Sequence, residues 1–291
     1  MKIQKTVPIL VLGGILLFST CQSLQTSEKE HTHEREDGIV YSTVDGIDLK
    51  LDIAWPTSQK GPFPAIISLH WGDWMEFNRN YAPGISRVFA QRGYVIAKVD
   101  YRLVTRSSNK LPAAIEDVKC AVRWLRANAE KYGIDPDRIG AVGSSAGGHL
   151  ALLLGVTDSA AGFDGDREYL DYSSSVQAVV NLAGPPDLAR AYRETHRGTI
   201  VLLLGGVPED VPDAYRDASR VTFLDVTDPP LLTLVGTNDP IISVQSIASF
   251  DAKARAVGVS HTAAFYQGGH ANPELDLFDE VMFGFFDMHL K

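Results

Sequence analysis

The stretch that decides the fold is 138-RIGAVGSSAGGHLALLL-154, in which two apolar runs flank a turn of small residues. The first run, 138–142, has the near-continuous hydrophobicity of a buried parallel strand, and residues 146–154 predict a helix. Between them, Gly143-Ser144-Ser145-Ala146-Gly147 has glycine at both flanks. A Cβ atom would clash there in a sharp strand-to-helix turn. We therefore predict that the Ser145 hydroxyl projects above the carboxyl edge of a sheet as a candidate nucleophile.

Strands and helices alternate on both sides of this turn. The Asp45-Gly46 pair between residues 39–44 and 47–55 predicts an antiparallel hairpin at the start of the fold. The alternation further along predicts a doubly wound, mostly parallel α/β sheet of about eight strands, with a small cap or insertion region in the irregular stretches. We predict strands at 65–69, 94–99, 138–142, 176–182, 231–235 and 262–266, helices at 82–91, 113–131, 146–154, 244–257 and 275–290, and irregular insertions at 157–175 and 184–219.

Composition and charge exclude several classes of protein. The chain has 291 residues, 45% of them hydrophobic, which is typical of a globular protein with a sizeable core. Its formal net charge is −9 and no run of Lys or Arg interrupts the sequence, which argues against nucleic acid as a partner. Cys21 and Cys120 are too few for a disulfide framework or a CxxC zinc site. We predict no metal site.

The N-terminal residues have the features of an export signal. Lys2 and Lys5 precede an apolar run at 7–18, which is shorter than a membrane span and fits a secretory signal. The run ends in Phe18-Ser19-Thr20-Cys21, which resembles the lipobox of bacterial lipoproteins, where the cysteine is lipidated; ordinary cleavage nearby is the alternative. We predict export to the cell envelope with a lipid anchor at Cys21, or otherwise a periplasmic or secreted protein. The corresponding boundaries are a lipoprotein-type signal peptide at 1–20, a flexible polar tether at 21–37 and a folded domain at 38–291.

A serine hydroxyl is a weak nucleophile, so it needs a base that a third group orients. Among the eight histidines, His270 follows a predicted strand and Gly268-Gly269, a loop able to bring an imidazole over the sheet edge. His149, in contrast, lies on the helix that begins after Ser145 and is expected to pack along its flank. His270 is therefore the candidate base, with a purely structural histidine as the alternative.

The orienting acid should leave the carboxyl end of a late strand. Asp239 does so, in Gly236-Thr-Asn-Asp239-Pro240 after the strand at 231–235. Asp187 is its rival, because it follows the strand at 176–182, but it lies behind two prolines in a looser segment. We favour Asp239.

The turn after the strand at 65–69 is the candidate for stabilising negative charge on a substrate oxygen. It reads His70-Trp71-Gly72-Asp73-Trp74. Its backbone N–H groups, together with the N–H of Ala146, could converge on an oxyanion. A plain surface turn is the alternative.

These motifs together resemble those of α/β-hydrolase-fold esterases, close to the hormone-sensitive-lipase and feruloyl-esterase-like groups. The matching segments, in the order of the family, are His70-Trp-Gly-Asp-Trp74, Asp100-Tyr-Arg-Leu103, Leu111-Pro-Ala-Ala-Ile-Glu-Asp117, Gly143-Ser-Ser-Ala-Gly-Gly148, Asp228-Pro-Pro-Leu231, Gly236-Thr-Asn-Asp239 and Gly268-Gly-His270. The resemblance implies an α/β-hydrolase catalytic domain that needs no metal or organic cofactor. It also implies site residues: the catalytic triad Ser145, Asp239 and His270, and backbone oxyanion donors at Gly72, Asp73 and Ala146.

The chain departs from the family pattern in the His70 motif. Trp71 replaces the first glycine of HGGxW, where a positive φ would be strained, and the Asp73 carboxylate would be unfavourable beside an oxyanion unless it points away. We expect Trp71 and Trp74 to border a substrate pocket. The predicted function is that of a serine carboxylesterase that hydrolyses small acyl or carbohydrate-linked esters through an acyl-enzyme. The alternatives are a peptidase or formamidase on the same fold, and a non-catalytic surface lipoprotein.

Overall fold

One mixed β-sheet forms the centre of the molecule. The computed structural model describes residues 10–12, 32–58, 60–84, 86–157, 163–166, 168–271 and 275–291. Its strands are β1 (Leu10–Leu12), β2 (His33–Val44), β3 (Ile47–Pro56), β4 (Phe63–Leu69), β5 (Val95–Val99), β6 (Ile134–Ser144), β7 (Ala178–Leu182), β8 (Leu231–Gly236) and β9 (His261–Tyr266). Their order in the sheet is β1-β9-β8-β7-β6-β4-β5-β3-β2. Strands β4 to β9 run parallel to one another, whereas β1, β2 and β3 pair antiparallel with their neighbours.

Helices cover both faces of this sheet. They are α1 (Ser86–Gln91), α2 (Ala113–Ala127), α3 (Ala129–Tyr132), α4 (Ala146–Val156), α5 (Leu188–Glu194), α6 (Arg197–Leu204), α7 (Pro212–Asp217), α8 (Val244–Val257) and α9 (Leu275–Leu290). On one face, Phe89 of α1 packs on Phe283 of α9 with ring centroids 4.6 Å apart. On the other face, α2 and α4 contribute buried residues such as Val118 and Leu150 to a separate core cluster. Every residue of β4, β7 and β8 is buried, as expected of strands with helices on both sides. The doubly wound α/β prediction is confirmed.

Several sequence-based boundaries need correction. The helix predicted at 82–91 is shorter, because α1 begins at Ser86. Strand β2 begins at His33, so residues 33–37 of the predicted tether belong to the sheet. The helix predicted at 113–131 is divided at Asn128, which ends α2 and precedes α3. The insertion at 184–219 contains three helices, α5, α6 and α7. These helices have eight residues or fewer, which is too short for a 3.6-residue periodicity to stand out in the sequence.

The predicted signal peptide and lipid anchor remain predictions. Of residues 1–31 the structure describes only β1, which pairs antiparallel with β9 at the edge of the sheet. Cys21 lies outside the described residues. Within the described ranges, no helix combines the length and the apolar character needed to cross a membrane.

Candidate active site

Ser145 occupies the one-residue turn between β6 and α4. Its φ of 53° and ψ of −116° are costly for a residue with a side chain, about 1–3 kcal/mol. A Cβ atom at Gly143 would lie 2.1 Å from the carbonyl oxygen of Gly147, so the turn closes only with glycine at that position. The Ser145 N–H donates to the Leu182 carbonyl of β7 at 2.8 Å. The turn is thus fixed at the carboxyl end of two adjacent strands.

A continuous hydrogen-bond chain starts at the Ser145 hydroxyl. Ser145 Oγ lies 2.9 Å from His270 Nε2, and His270 Nδ1 lies 2.8 Å from Asp239 Oδ2. Because an ionised carboxylate only accepts hydrogen bonds, Nδ1 carries the proton donated to Asp239 and Nε2 accepts from the serine hydroxyl. The imidazole is therefore held in the tautomer that can take the serine proton.

The surroundings of Asp239 keep its carboxylate ionised. The side chain is fully buried, and burial alone would raise its pKa. The hydrogen bond from His270 and the N–H groups of Ile242 and Ile241, at 2.9 and 2.8 Å from Oδ1, outweigh burial and lower the pKa of Asp239. A buried negative charge thus faces the Nδ1 side of the imidazole.

Close backbone contact between the loops after β8 and β9 brings Asp239 and His270 together. A Cβ atom at Gly236 would lie 2.3 Å from the Gly268 carbonyl oxygen. The Asn238 N–H donates to that same carbonyl at 3.0 Å. The two glycines therefore let the loops lie side by side, and this contact brings Asp239 and His270 within hydrogen-bond distance.

The rival acid and the other central histidine have different partners. Asp187 caps α5, where its carboxylate accepts the Arg190 N–H at 2.9 Å. His149 is buried, and its Nε2 lies 2.9 Å from the Ala218 carbonyl oxygen. Of the two acids, Asp239 is therefore the one that contacts His270.

The loop after β4 contains three consecutive residues with positive φ angles. Gly72 has a φ of 122°, and a Cβ atom there would lie 2.3 Å from the Glu76 carbonyl oxygen. Asp73 and Trp74 also have positive φ values, 52° and 62°. Trp71, which replaces a family glycine, does not. The sequence predicted backbone strain at Trp71. In the structure, the strained positive φ angles lie instead at Asp73 and Trp74.

This loop packs directly on the Ser145 turn. A Cβ atom at Gly147 would lie 2.5 Å from the His70 carbonyl oxygen, so the loop and the start of α4 are in backbone contact. The His70 ring stacks on Tyr101 with centroids 4.1 Å apart, and the Tyr101 hydroxyl donates to the His70 carbonyl at 2.9 Å. The Gly72 and Asp73 N–H groups donate to no atom in the described part of the chain.

A cleft of about 680 Å³ opens beside these groups. It contains Ser145 and His270 together with Gly72 and Asp73, so it places two of the predicted oxyanion donors next to the predicted nucleophile and base. The third predicted donor, Ala146, is the first residue of α4 and is buried directly behind Ser145. The remaining lining residues are Trp71, Met75, Glu76, Phe77, Ser144, Thr199, Ile241 and Ala271.

The two tryptophans expected at the pocket have different environments. Trp71 lines the cleft and is 41% exposed. Trp74 is only 2% exposed and lies edge-on to the buried His149, with ring centroids 5.3 Å apart. The structure thus places Trp74 in the core, and it corrects the expectation that this residue borders the pocket.

Several lining residues escaped the sequence analysis. Thr199 comes from α6 in the insertion after β7, and Ile241 follows Asp239 in the loop after β8. Phe77 and Met75 lie beyond the His70 motif. The one signal in the sequence was the position of the insertion, because connections at the carboxyl ends of parallel strands border such sites.

Metal ligands do not cluster at this site. In the ranges that the structure describes, no group of three or more His, Cys, Asp or Glu side chains is arranged to hold a metal ion. The polar and ionisable residues that line the cleft are instead three hydroxyl-bearing residues, Ser144, Ser145 and Thr199, one histidine, His270, and the acidic residues Asp73 and Glu76.

The known proteins to which this chain is similar include several esterases. Esterase LipC of Mycobacterium tuberculosis is 34% identical over 230 residues, which is 77% of this chain and 56% of that protein. The probable carboxylic ester hydrolase LipM of the same organism is 34% identical over 202 residues, covering 68% of this chain and 46% of LipM. The chain therefore spans about half the length of these curated relatives. Among solved structures, a truncated carbohydrate esterase from gut microbiota is similar with a TM-score of 0.79 at 26% identity, covering 89% of this chain and 96% of that one.

The fold and the arrangement of this site define an α/β hydrolase. The BD-FAE family model matches residues 51–253, a range that includes the His70 loop, the Ser145 turn and Asp239. The chain belongs to the BD-FAE family. The resemblance to feruloyl-esterase-like and hormone-sensitive-lipase-like α/β hydrolases is confirmed.

Proposed function

We propose that this chain is a serine carboxylesterase that hydrolyses small acyl or carbohydrate-linked esters, with Ser145, His270 and Asp239 as its catalytic triad. The observation that carries the proposal is the hydrogen-bond chain of 2.9 and 2.8 Å that joins these three side chains. Similarity to LipC and LipM supports ester hydrolysis, and similarity to a carbohydrate esterase supports a sugar ester as substrate.

In the first half of the reaction, Ser145 attacks the ester carbonyl while His270 Nε2 takes the hydroxyl proton. The carbonyl oxygen becomes an oxyanion, which the N–H groups of Gly72, Asp73 and Ala146 stabilise. Each such donor is typically worth about 3–4 kcal/mol. When the tetrahedral intermediate collapses, His270 gives its proton to the leaving alcohol, and the acyl group stays on Ser145.

In the second half, water attacks the acyl-enzyme and the same groups act again. His270 Nε2 takes a proton from the water, and the oxyanion returns to the same N–H groups. Collapse releases the carboxylic acid, and the proton on His270 restores the Ser145 hydroxyl. Throughout, the Asp239 carboxylate stabilises the imidazolium and fixes the tautomer of His270.

The test is hydrolysis of 4-nitrophenyl acetate by Ser145→Ala, His270→Ala and the double variant. We expect each single change to lower kcat about 10⁴-fold or more, and the double change to lower it little further, because the residues act as a unit. His196→Ala is the matched control, since His196 precedes α6 and lies outside the cleft lining. If the losses of activation free energy in the two single variants added up in the double variant, Ser145 and His270 would not act as a unit. Faster hydrolysis of 4-nitroacetanilide than of the ester would favour an amidase. Full activity in Ser145→Ala would show that this serine has no catalytic role.

We further propose that the protein acts at the cell envelope, exported by residues 1–20 and anchored through Cys21. The support is the order of the N-terminal sequence: lysines, an apolar run, then Phe18-Ser19-Thr20-Cys21. An ester hydrolase in that position would meet substrates that arrive from outside the cell.

A further inference from the structure

Trp74 anchors the loop after β4 in the core of the molecule. Of residues 71–78, all of which the structure describes, it is the one residue whose side chain is buried. Asp73 and Trp74 have φ angles of 52° and 62°, a strained conformation that persists only where the surroundings hold it. The Trp74 carbonyl also accepts the Val104 N–H at 2.8 Å. The contacts of Trp74 therefore help to fix the direction of the Gly72 and Asp73 N–H groups.

The ring that lies edge-on to Trp74 belongs to His149, at a distance of 5.3 Å between ring centroids and an angle of 89° between ring planes. His149 is fully buried and lies in α4, four residues after Ser145. Its backbone N–H donates to the Ser145 carbonyl at 3.0 Å. Side chains on a helix lean toward its N-terminus, which here is the Ser145 turn. His149 thus connects this turn with the loop that carries Gly72 and Asp73.

The insertion after β7 holds the His149 ring in this orientation. His149 Nε2 lies 2.9 Å from the carbonyl oxygen of Ala218, which follows α7. Because a carbonyl oxygen only accepts hydrogen bonds, Nε2 carries a proton and donates it. The next residue, Ser219, accepts the Leu188 N–H at 3.1 Å, so the start of α5 is tied to the same segment. The ring can turn away from Trp74 only by giving up a buried hydrogen bond, which is costly.

We propose that His149 is a positioning residue for the site where the oxyanion forms. Its ring keeps Trp74 in place, and the buried indole keeps the N–H groups of Gly72 and Asp73 directed at the oxygen that becomes negative. The inference rests on the proposed function and adds a residue that touches no reacting atom. His149 is not among the described residues that line the cleft, so it acts through Trp74. Fixed donors stabilise charge better than donors that must reorient during the reaction.

Two substitutions distinguish this positioning role from a side chain that only fills the core. His149→Gln keeps an N–H donor for the Ala218 carbonyl but removes the ring. His149→Phe keeps a ring beside Trp74 but removes the donor. A side chain that only fills the core predicts that activity and stability fall together in both variants. The positioning role predicts that they separate, because activity depends on the ring and stability depends on the buried hydrogen bond.

The first experiment measures kcat and KM for 4-nitrophenyl acetate and the midpoint of urea unfolding. His149→Gln should lower kcat roughly tenfold and change KM less than about twofold, because misdirected donors weaken binding of the transition state only. His149→Phe should lower the urea midpoint and keep kcat within about threefold of the wild type.

His261→Gln is the matched control for these variants. His261 is also buried and lies edge-on to Phe250 with ring centroids 4.9 Å apart, but it is not among the described residues that line the cleft. This change should lower the urea midpoint and keep kcat. A wild-type kcat in His149→Gln would overturn the proposal. So would parallel losses of kcat and urea midpoint in the two His149 variants.

The second experiment tests whether His149 acts through Trp74. Trp74→Leu removes the indole and should lower kcat at least as much as His149→Gln does. The double variant should then lose little beyond Trp74→Leu alone, because the two side chains act in series. If the losses of activation free energy added up instead, His149 would act independently of Trp74 and the proposal would be wrong.

The third experiment uses butylboronic acid, which imitates the tetrahedral intermediate. Ser145 Oγ adds to boron, its proton passes to His270 Nε2, and the boronate carries the negative charge. The inhibition constant should rise about tenfold in His149→Gln, in parallel with the fall in kcat/KM. An equal inhibition constant in the wild type and His149→Gln would overturn the positioning role alone. A wild type that butylboronic acid does not inhibit would overturn the role of Ser145 and, with it, this inference.

Discussion

At the scale of single residues, the carboxylate of Asp239 acts through its hydrogen bonds. One oxygen accepts from His270 Nδ1 and the other from two backbone N–H groups. Asp239→Asn should lower kcat about 10³–10⁴-fold, because an amide NH₂ facing Nδ1 favours the wrong imidazole tautomer. Asp187→Asn is the matched control, since an asparagine oxygen can still accept the Arg190 N–H and cap α5. Steady-state kinetics on 4-nitrophenyl acetate measure both, and the reverse ranking would transfer the acid role to Asp187.

His70, in the loop after β4, should make the stability of the fold depend on pH. Burial lowers the pKa of His70, and the hydrogen bond to the Trp71 carbonyl and the nearby Asp100 offset this only in part. Below pH about 6.5 the unfolded chain therefore binds a proton that the folded chain refuses, so the free energy of unfolding falls as pH decreases. His70→Asn keeps a donor for the Trp71 carbonyl but does not titrate. Its free energy of unfolding in urea should decline less between pH 7.5 and 5.5 than that of the wild type.

His289 is the second contributor to this pH dependence, because burial lowers its pKa as well. His289→Asn should flatten the decline in the same direction. An equal decline in the wild type and both variants would show that neither histidine is responsible.

At the scale of secondary-structure elements, a buried hydrogen-bond chain joins β8, β9 and α8. His261 Nδ1 lies 2.9 Å from Asp251 Oδ1, and Nε2 lies 3.0 Å from Thr233 Oγ1. Thr233→Val removes the hydroxyl at nearly constant volume and leaves the buried Nε2 without its donor, which should cost about 1–3 kcal/mol of unfolding free energy. Thr262→Val is the control on the next residue of β9, and it should change stability by less than about 0.5 kcal/mol. Urea unfolding measures both, and equal losses would assign the effect to β-strand packing alone.

The sequence predicts elements well where burial is complete and poorly where it is not. Strands β4, β7 and β8 are buried along their whole length, so their apolar runs stand out. The first residues of β2 are mostly exposed and charged, as on many edge strands, and they read as a tether. Motifs placed Ser145, Asp239 and His270 on separate strand ends. Phe77 and Thr199 could not be found in that way, because only the three-dimensional path of their loop and helix brings them to the cleft.

At the scale of the whole molecule, the sheet order assembles the site. Ser145, Asp239 and His270 follow β6, β8 and β9, and the His70 loop follows β4, so parallel strands deliver all four groups to one edge. Of the described residues, those that line the cleft include none from the amino ends of these strands. The site therefore depends on contacts between distant parts of the chain. Ser145 and His270, which share a hydrogen bond, are 125 residues apart in the sequence.

The last prediction concerns where this molecule resides. If lipid is attached at Cys21, the segment from there to the start of β2 at His33 would reach at most about 40 Å when extended, enough to hold the domain clear of a membrane surface. Cys21→Ser should then move the protein from carbonate-washed membranes to the soluble fraction without changing kcat/KM, because the cleft-lining residues in the described part of the chain all lie at position 71 or later. Cys120→Ser is the matched control, since this other cysteine is buried in α2 and should leave the distribution unchanged. Membrane association that persists in Cys21→Ser would refute the anchor, and a soluble wild type would favour ordinary cleavage and release.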